Sequence, residues 1–448
     1  MEQRSANRQR IGKPAAEFAE LPVISFIVIQ AIGGRRSAAL PHNVRGEADP
    51  SFACAIRAFA QLFPGKRFGG GALCVYLDGQ PVVDVWTGWA DRRGTRPWTA
   101  DTGAMVFSAT KGMASTVIHR LADRGLVDYD APVADYWPAF GANGKGGVTV
   151  RELMRHRAGL SQLNGASGAD LMDHLLMEER MAAAPMGWLK GKPSYHALTY
   201  GWLLSGLARA VTGRGMRELF RSELAGPLDV DGIHLGRPPA DAPTQPARII
   251  GPQSRFQNPV VNLVMPRLAA LPFSGGLGSM YFPGMKSTVQ GDMSLLDAEL
   301  PAANGVATAR ALARMYGAIA NGGQIDGAQF LSAELVAKLS GPPSLHLDGG
   351  LIMPLSFHLG YHGLPLGGIL PGFGHVGLGG SLGWADPRSG LAFGFVHNRL
   401  LTPLVVSDQA GFVATAALIR RGVFLARKDG FNAVTKLGAS FSGLSTAV

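Results

Sequence analysis

The chain has few cysteines, few charges and no metal-ligand motif. Only Cys54 and Cys74 occur in 448 residues, both among apolar neighbours, which reads as two free thiols rather than a disulfide framework. Neither CxxC nor HExxH is present, and the eleven histidines show no metal-ligand spacing, so no metal or other cofactor is implied. Charged residues make up 17% against 46% hydrophobic ones, which excludes a disordered chain. The 42 basic residues outnumber the 32 acidic ones, a formal charge of +10, but they are scattered, with pairs such as Arg35-Arg36 and Arg420-Arg421 as runs. A nucleic-acid binder gathers its basic residues on one element, so the reading is a solvated basic surface with no nucleic-acid partner.

An apolar run that could span a bilayer is also missing at the N-terminus. "LPVISFIVIQAI" (21–32) is too short to cross, and a secretory signal is poorly matched. Glu17 and Glu20 stand directly before the run, and no small-x-small site clearly follows it. Residues 1–41 are therefore set apart as an extension. The chain is expected to be cytoplasmic or to touch a membrane peripherally through 21–32, with export left open.

Within 42–448 the patterns are those of a mixed α/β chain. "DPSFACAIRAFAQLF" (49–63) reads as an amphipathic helix behind an Asp-Pro start. "GGALCVYLDGQPVVDVWTGWA" (70–90) is two β-branched and aromatic runs around Asp78-Gly79, a hairpin signal. A helix is expected from Ser108 to Asp123, ending at Gly125. Helical stretches and Gly/Pro-rich loops alternate over 131–300, with a long loop at 236–300. Helix returns at 306–321, three short strands come after it around "FGHVG", "GSLGWAD" and "GLAFGFVHN", and a helix over 403–426 closes the chain. Strands at both ends with helices between predict one sheet built from 42–130 and 301–448, flanked by helices, with 131–300 as a mainly helical, loop-rich insertion.

Ser108 and Lys111, in "SATK", form the only S-x-x-K of the chain. Positions i and i+3 share a helix face, so hydroxyl and amine can meet, and a helix start favours developing negative charge. The alternative is an N-cap serine and a solvated lysine. The apolar flanks, "AMVF" and "GMAS", argue that Lys111 faces packed surroundings. Tyr195 leads into a helix at "PSYHALTYG", where a phenol beside a lysine can shuttle protons; Tyr200 reads as an ordinary packed tyrosine. His375 sits among glycines in "GFGHVGLGG", which points to a close backbone approach. Gly379–Gly383 matches the G-x-S-x-G elbow around Ser381, but a strand comes directly after it, and Asp386 and His397 are too near in sequence to complete that fold.

Taken in order, "SATK" at 108–111, "YHA" at 195–197 and "HVG" at 375–377 resemble the serine β-lactamase/penicillin-binding-protein superfamily. The likeness covers roughly 43–426 and is strongest to family VIII carboxylesterases and lipases of class C β-lactamase fold. "TVRELMRHRAGL" (149–160), "GVATARALARMYGAIANGG" (305–323) and "GGSLGWADPRSGLAFGFVHN" (379–398) support it. The resemblance implies a β-lactamase/D,D-peptidase-like sandwich in which Ser108 attacks an acyl carbonyl and Lys111 with Tyr195 moves its proton. It also implies an oxyanion hole from the N–H groups of Ser108 and Leu378, and substrate contacts at His375 and Gly377. Two departures bear on substrate. Relatives that act on β-lactams usually carry lysine where His375 stands and asparagine where Ala197 stands. Both changes suit a neutral ester, so the expected reaction is hydrolysis of short- to medium-chain carboxylic or lipid esters through an acyl-enzyme. A β-lactamase or D,D-peptidase, an acyltransferase, and a catalytically silent binding protein on the same scaffold are the alternatives. Met265, Met280, Met285 and Met293 are candidates for an acyl pocket or for plain loop anchors.

Overall fold

Three strands from the N-terminal part start the main sheet: β1 (Val44–Ala48), β2 (Gly70–Leu77) and β3 (Gln80–Gly88). Asp78 (φ 51°) and Gly79 (φ 76°) are both left-handed, which is the two-residue turn that the twist of a β2–β3 hairpin demands. In this computed structural model the described residues are 39–163, 165–251, 276–280, 294–340, 346–349, 354–364, 370–400 and 406–434. The run at 21–32 and Met265, Met285 and Met293 lie outside them, while Met280 is exposed.

The next strands are β4 (Thr102–Met105), β5 (Ile233–Leu235), β6 (Gln245–Pro246) and β7 (Gly305–Ala307). They form a second, small sheet in the order β5-β7-β4-β6. A short ribbon, β8 (Gln324–Ile325) and β9 (Ala328–Gln329), precedes the C-terminal strands. Those are β10 (His346–Leu347), β11 (Pro354–His358), β12 (Tyr361–Gly363), β13 (Phe373–Val376), β14 (Leu382–Asp386) and β15 (Leu391–His397). The main sheet runs β1-β3-β2-β15-β14-β13-β12-β11-β10, antiparallel at every pairing. The two chain ends meet where β2 pairs with β15, Leu73 opposite Phe395.

Both faces of this sheet are covered, and side-chain alternation sorts the residues between them. Helices α1 (Ala53–Gln61) and α6 (Val406–Asp429) take one face. There Phe52, Ile56 and Phe59 pack with Leu73, Val75, Leu77, Phe393 and Phe395. Burying one such phenylalanine stabilises by about 2–3 kcal/mol. On the opposite face the sheet presents Ala72, Cys74 and Ala392. The small residues there let a helix lie close. At Gly383 a Cβ would run into the Tyr316 ring, and at Gly394 into Ala309 O. The helical part between the sheet's two halves contains α2 (Thr110–Asp123), α3 (His174–Ala183) and α4 (Thr199–Thr212); α5 (Ala309–Ala320) is the helix that packs on the glycines. Helix α2 is buried on nearly all sides, from Thr110 to His119, because it is wedged between the sheet and α4. The two cysteines are free thiols, Cys74 buried and Cys54 half-buried beside Arg57 Nη2 at 3.2 Å.

Candidate active site

Strand β4 delivers the chain to Ser108, but not straight into a helix. Ser108 lies in a 3-10 turn, Phe107–Ala109, and α2 begins only at Thr110. Phe107, directly before the serine, takes a left-handed φ of 47°, an uncommon conformation for a bulky residue. The N-cap of α2 is Ala109, with no side-chain cap bond, so the Ser108 hydroxyl is not spent on capping. It accepts a hydrogen bond from Lys111 Nζ at 3.1 Å. The turn is clamped from below: the Val106 N–H donates to Gly305 O at 2.9 Å, and the Gly305 N–H donates to Thr110 Oγ1 at 2.9 Å.

Lys111 is wholly buried. Besides Ser108, its Nζ donates to Ala302 O at 2.9 Å and lies 4.9 Å above the Tyr195 ring centroid. The Ala302 carbonyl is held in a loop stapled by buried Asn304, whose Nδ2 donates to Leu295 O (2.8 Å) and Ala298 O (2.9 Å). No carboxylate pairs with Lys111 among the described residues, and burial alone holds its pKa well below the ordinary lysine value. Tyr195 goes the other way. Burial raises its pKa, a hydrogen bond to Ser108 pulls it down by less, and the nearby Asp348 adds to the rise. At neutral pH the amine is driven toward its free-base form while the phenol keeps its proton. Three groups named from sequence thus stand together.

The turn that follows β13, at Gly377 and Leu378, closes the other side. Gly377 packs against the main chain just before the serine, so that a Cβ there would run into Val106 O. Its N–H donates to Ser381 O at 2.7 Å, which turns the chain at the end of β13. Leu378 is half-buried in the same apolar cluster as Phe107, Met105 and Val306. Gly377→Ala therefore separates β13 from the serine turn. Expected is a stability loss of about 1–3 kcal/mol together with a strong loss of activity. Thermal melts and ester turnover of that variant check both, and an active, wild-type-like Gly377→Ala protein contradicts the close packing.

His375 is not at the surface; it is 1% exposed, with Nδ1 donating to Val376 O at 3.1 Å and Nε2 buried without a hydrogen-bond partner among the described residues. Burial first, then its neighbours His362 and Lys111, hold its pKa well below the ordinary value, so the imidazole is neutral. Ala197 is buried in an apolar cluster with Tyr195 and Phe357. Tyr200 is a packed tyrosine, 2.8 Å from Ser115 Oγ. Ser381 is buried, its Oγ accepting from the His397 N–H at 3.3 Å, and β14 begins at once, so no nucleophile elbow exists there.

Sequence reasoning missed the histidines that hold Tyr195. His156 (φ 57°) accepts the His196 N–H on Nδ1 at 3.1 Å, and its carbonyl accepts the Ser194 N–H at 3.0 Å. His196 in turn donates from Nδ1 to Ser194 O (2.5 Å) and accepts the Leu160 N–H on Nε2 (3.1 Å). The Tyr195 ring is 5.1 Å from the His156 ring and stacks on Phe357 at 5.5 Å. Single histidines 40 residues apart carry no periodic signal; only their place within the motif stretches "RHRAGL" and "SYHAL" hinted at them.

Comparison with known proteins bears on the family and the fold. The profile of the Beta-lactamase family matches residues 55–417. The chain is 67% identical over 401 residues to a Mycobacterium tuberculosis protein named Esterase/beta-lactamase LipL, covering 89% of this chain and 93% of that one. Among solved structures, a family VIII carboxylesterase superposes with a TM-score of 0.72 at 31% identity, over 84% of this chain and 99% of the other. A penicillin-binding-protein homologue from Caulobacter crescentus gives 0.70 at 29%, over 83% and 98%.

Proposed function

Since the chain belongs to the Beta-lactamase family, we propose that it is a serine hydrolase that cleaves carboxylic esters through an acyl-enzyme on Ser108. Esterase activity at the coarse level is supported by the relatives, one named an esterase and one a carboxylesterase. The observation that carries the finer reading is the buried Lys111 amine, 3.1 Å from Ser108 Oγ with no carboxylate beside it among the described residues. With the amine neutral, that contact runs from hydroxyl to nitrogen lone pair. Ser108 Oγ then bonds to the ester carbonyl carbon as its proton passes to Lys111 Nζ. The carbonyl π pair moves onto oxygen, where the N–H groups of Ser108 and Leu378 face it. On collapse the carbon–alkoxide bond breaks; Tyr195 gives its proton to the alkoxide and is reprotonated by the Lys111 ammonium. Water repeats the sequence on the acyl-enzyme, releasing the acid and restoring Ser108.

The neutral His375 and apolar Ala197 support an uncharged ester over a carboxylate-bearing amide. Short- to medium-chain acids are the expected acyl groups. A second reading, β-lactam hydrolysis by the same serine, is favoured by the name of the relative at 67% identity. One experiment tests both. p-Nitrophenyl esters from acetate to palmitate and nitrocefin are compared in kcat/KM, and the protein is labelled with a fluorophosphonate and digested. Expected are a maximum below about ten carbons, much weaker nitrocefin turnover, and a single adduct on Ser108. An adduct on another serine overturns the assignment, and nitrocefin turnover matching the best ester moves the second reading to the front.

A further inference from the structure

Strand β13 has an unusual neighbour on its β12 side. The two strands are in register only at His362↔Gly374. Antiparallel counting puts Gly360 opposite Val376, but the chain has already turned there: Leu359 (φ 45°) and Gly360 (φ 83°) form the β11–β12 hairpin loop, and the Gly360 N–H donates to Met154 O at 2.9 Å. The Val376 N–H, which points toward β12, has no strand carbonyl to meet. It donates instead to a side chain, His362 Nε2, at 3.0 Å. The other ring nitrogen settles the tautomer. His362 Nδ1 faces Gly363 O at 3.4 Å, and a carbonyl can only accept, so Nδ1 carries the proton and Nε2 the lone pair.

This bond matters because Leu378 lies just beyond it along the chain. Backbone N–H groups alternate between the two edges of a strand. Gly374 and Val376 face β12, whereas the Gly377 N–H is used on the β14 side by Ser381 O. Val376 is thus the last anchored donor on that edge before Leu378. We infer that His362 is a positioning residue for the oxyanion hole: its imidazole replaces the acceptor that β12 lacks and fixes the end of β13 two residues before Leu378. The inference rests on the assignment of Leu378 under the proposed function. The ring is itself held in place, 4.7 Å edge-on to His375 and 5.9 Å from both Phe357 and Trp384, and it is 6% exposed. Packing of that kind fixes a side chain to within the tolerance a catalytic donor needs.

The test is a set of three variants in the full-length protein, assayed with p-nitrophenyl butyrate and with a butyl phosphonate transition-state analogue. His362→Leu keeps the bulk and removes the acceptor. His362→Gln carries Oε1 out to the place of Nε2, while His362→Asn is too short to reach it. Outright loss of one oxyanion donor lowers kcat about 100- to 1000-fold, so a displaced donor is expected to lower it roughly 10- to 100-fold. The expected result is that loss in His362→Leu and His362→Asn, with KM within about twofold of wild type, slower phosphonylation, and recovery of most of kcat in His362→Gln. Should His362→Leu fail to fold, the Gln and Asn pair decides alone, because the two differ in reach and not in chemistry. Equal kcat in Gln and Asn, or wild-type kcat in a folded His362→Leu, overturns the inference. Such a failure is distinct from failure of the proposed function, which shows as a Ser108→Ala protein that still turns over ester.

Discussion

Ser108→Ala is expected to lower p-nitrophenyl butyrate turnover by roughly a thousandfold or more, while Ser381→Ala stays near wild type. The contrast arises from the two environments. Ser108 is half-buried, and among the described residues its hydroxyl is hydrogen-bonded to a lysine with a depressed pKa and a tyrosine that keeps its proton. Ser381 is buried and tied to the His397 main chain. Lys111→Arg sharpens the point. Arginine has comparable reach but stays protonated at every usable pH, so it cannot accept the Ser108 proton. Its loss should match that of Ser108→Ala, and the double variant should be no worse than either, because the two residues act as one unit. The wild-type pH profile carries the same signature. A base whose pKa burial has lowered remains available well below the range of an ordinary lysine, so kcat/KM should hold through neutrality and fall on the acid side as Lys111 is protonated. An active Lys111→Arg protein, or activity that rises only near the pKa of a free lysine, rules this assignment out.

The second large effect concerns stability in acid. His119, His156, His196, His362, His375 and His397 are all buried, and burial is the first cause of a lowered pKa in each. His196 and His362 are pushed down to about 4, and His119 and His397 to about 3. In the unfolded chain every one titrates near 6.5. A depressed folded pKa means that the unfolded state binds the extra protons, so the stability is fully present above about pH 6.5 and is lost as pH falls toward 4. Each imidazole contributes at most about 1.4 kcal/mol per pH unit, and six together about 8 kcal/mol for each pH unit, against a typical total stability of about 5–15 kcal/mol. The chain should therefore unfold cooperatively between about pH 4 and 5.5, with uptake of several protons. Far-UV circular dichroism with proton-uptake titration measures it. A native spectrum retained at pH 3.5 contradicts this account.

What could be read from the residues alone is what depends on near neighbours in the chain. Asp78-Gly79 dictates a hairpin because only a left-handed pair joins two twisted strands so tightly. The three-position spacing of Ser108 and Lys111 lets their side chains meet, and the order of three short motifs pointed to the family. Even there the α-helix starts two residues later than the spacing predicts, behind a left-handed Phe107 and a 3-10 turn whose Val106 main chain is bonded to Gly305 and packed against Gly377. The chemistry of the site was settled by groups remote in sequence. Ala302, 191 residues from Lys111, supplies the carbonyl that fixes the amine. Complete burial removes the water that would keep the amine charged. His156 orders the turn that carries Tyr195, and His362 serves a strand 14 residues away. Local geometry is encoded in spacing, whereas the protonation state of a buried group is a sum over everything packed around it, and only the tertiary structure brings those terms together.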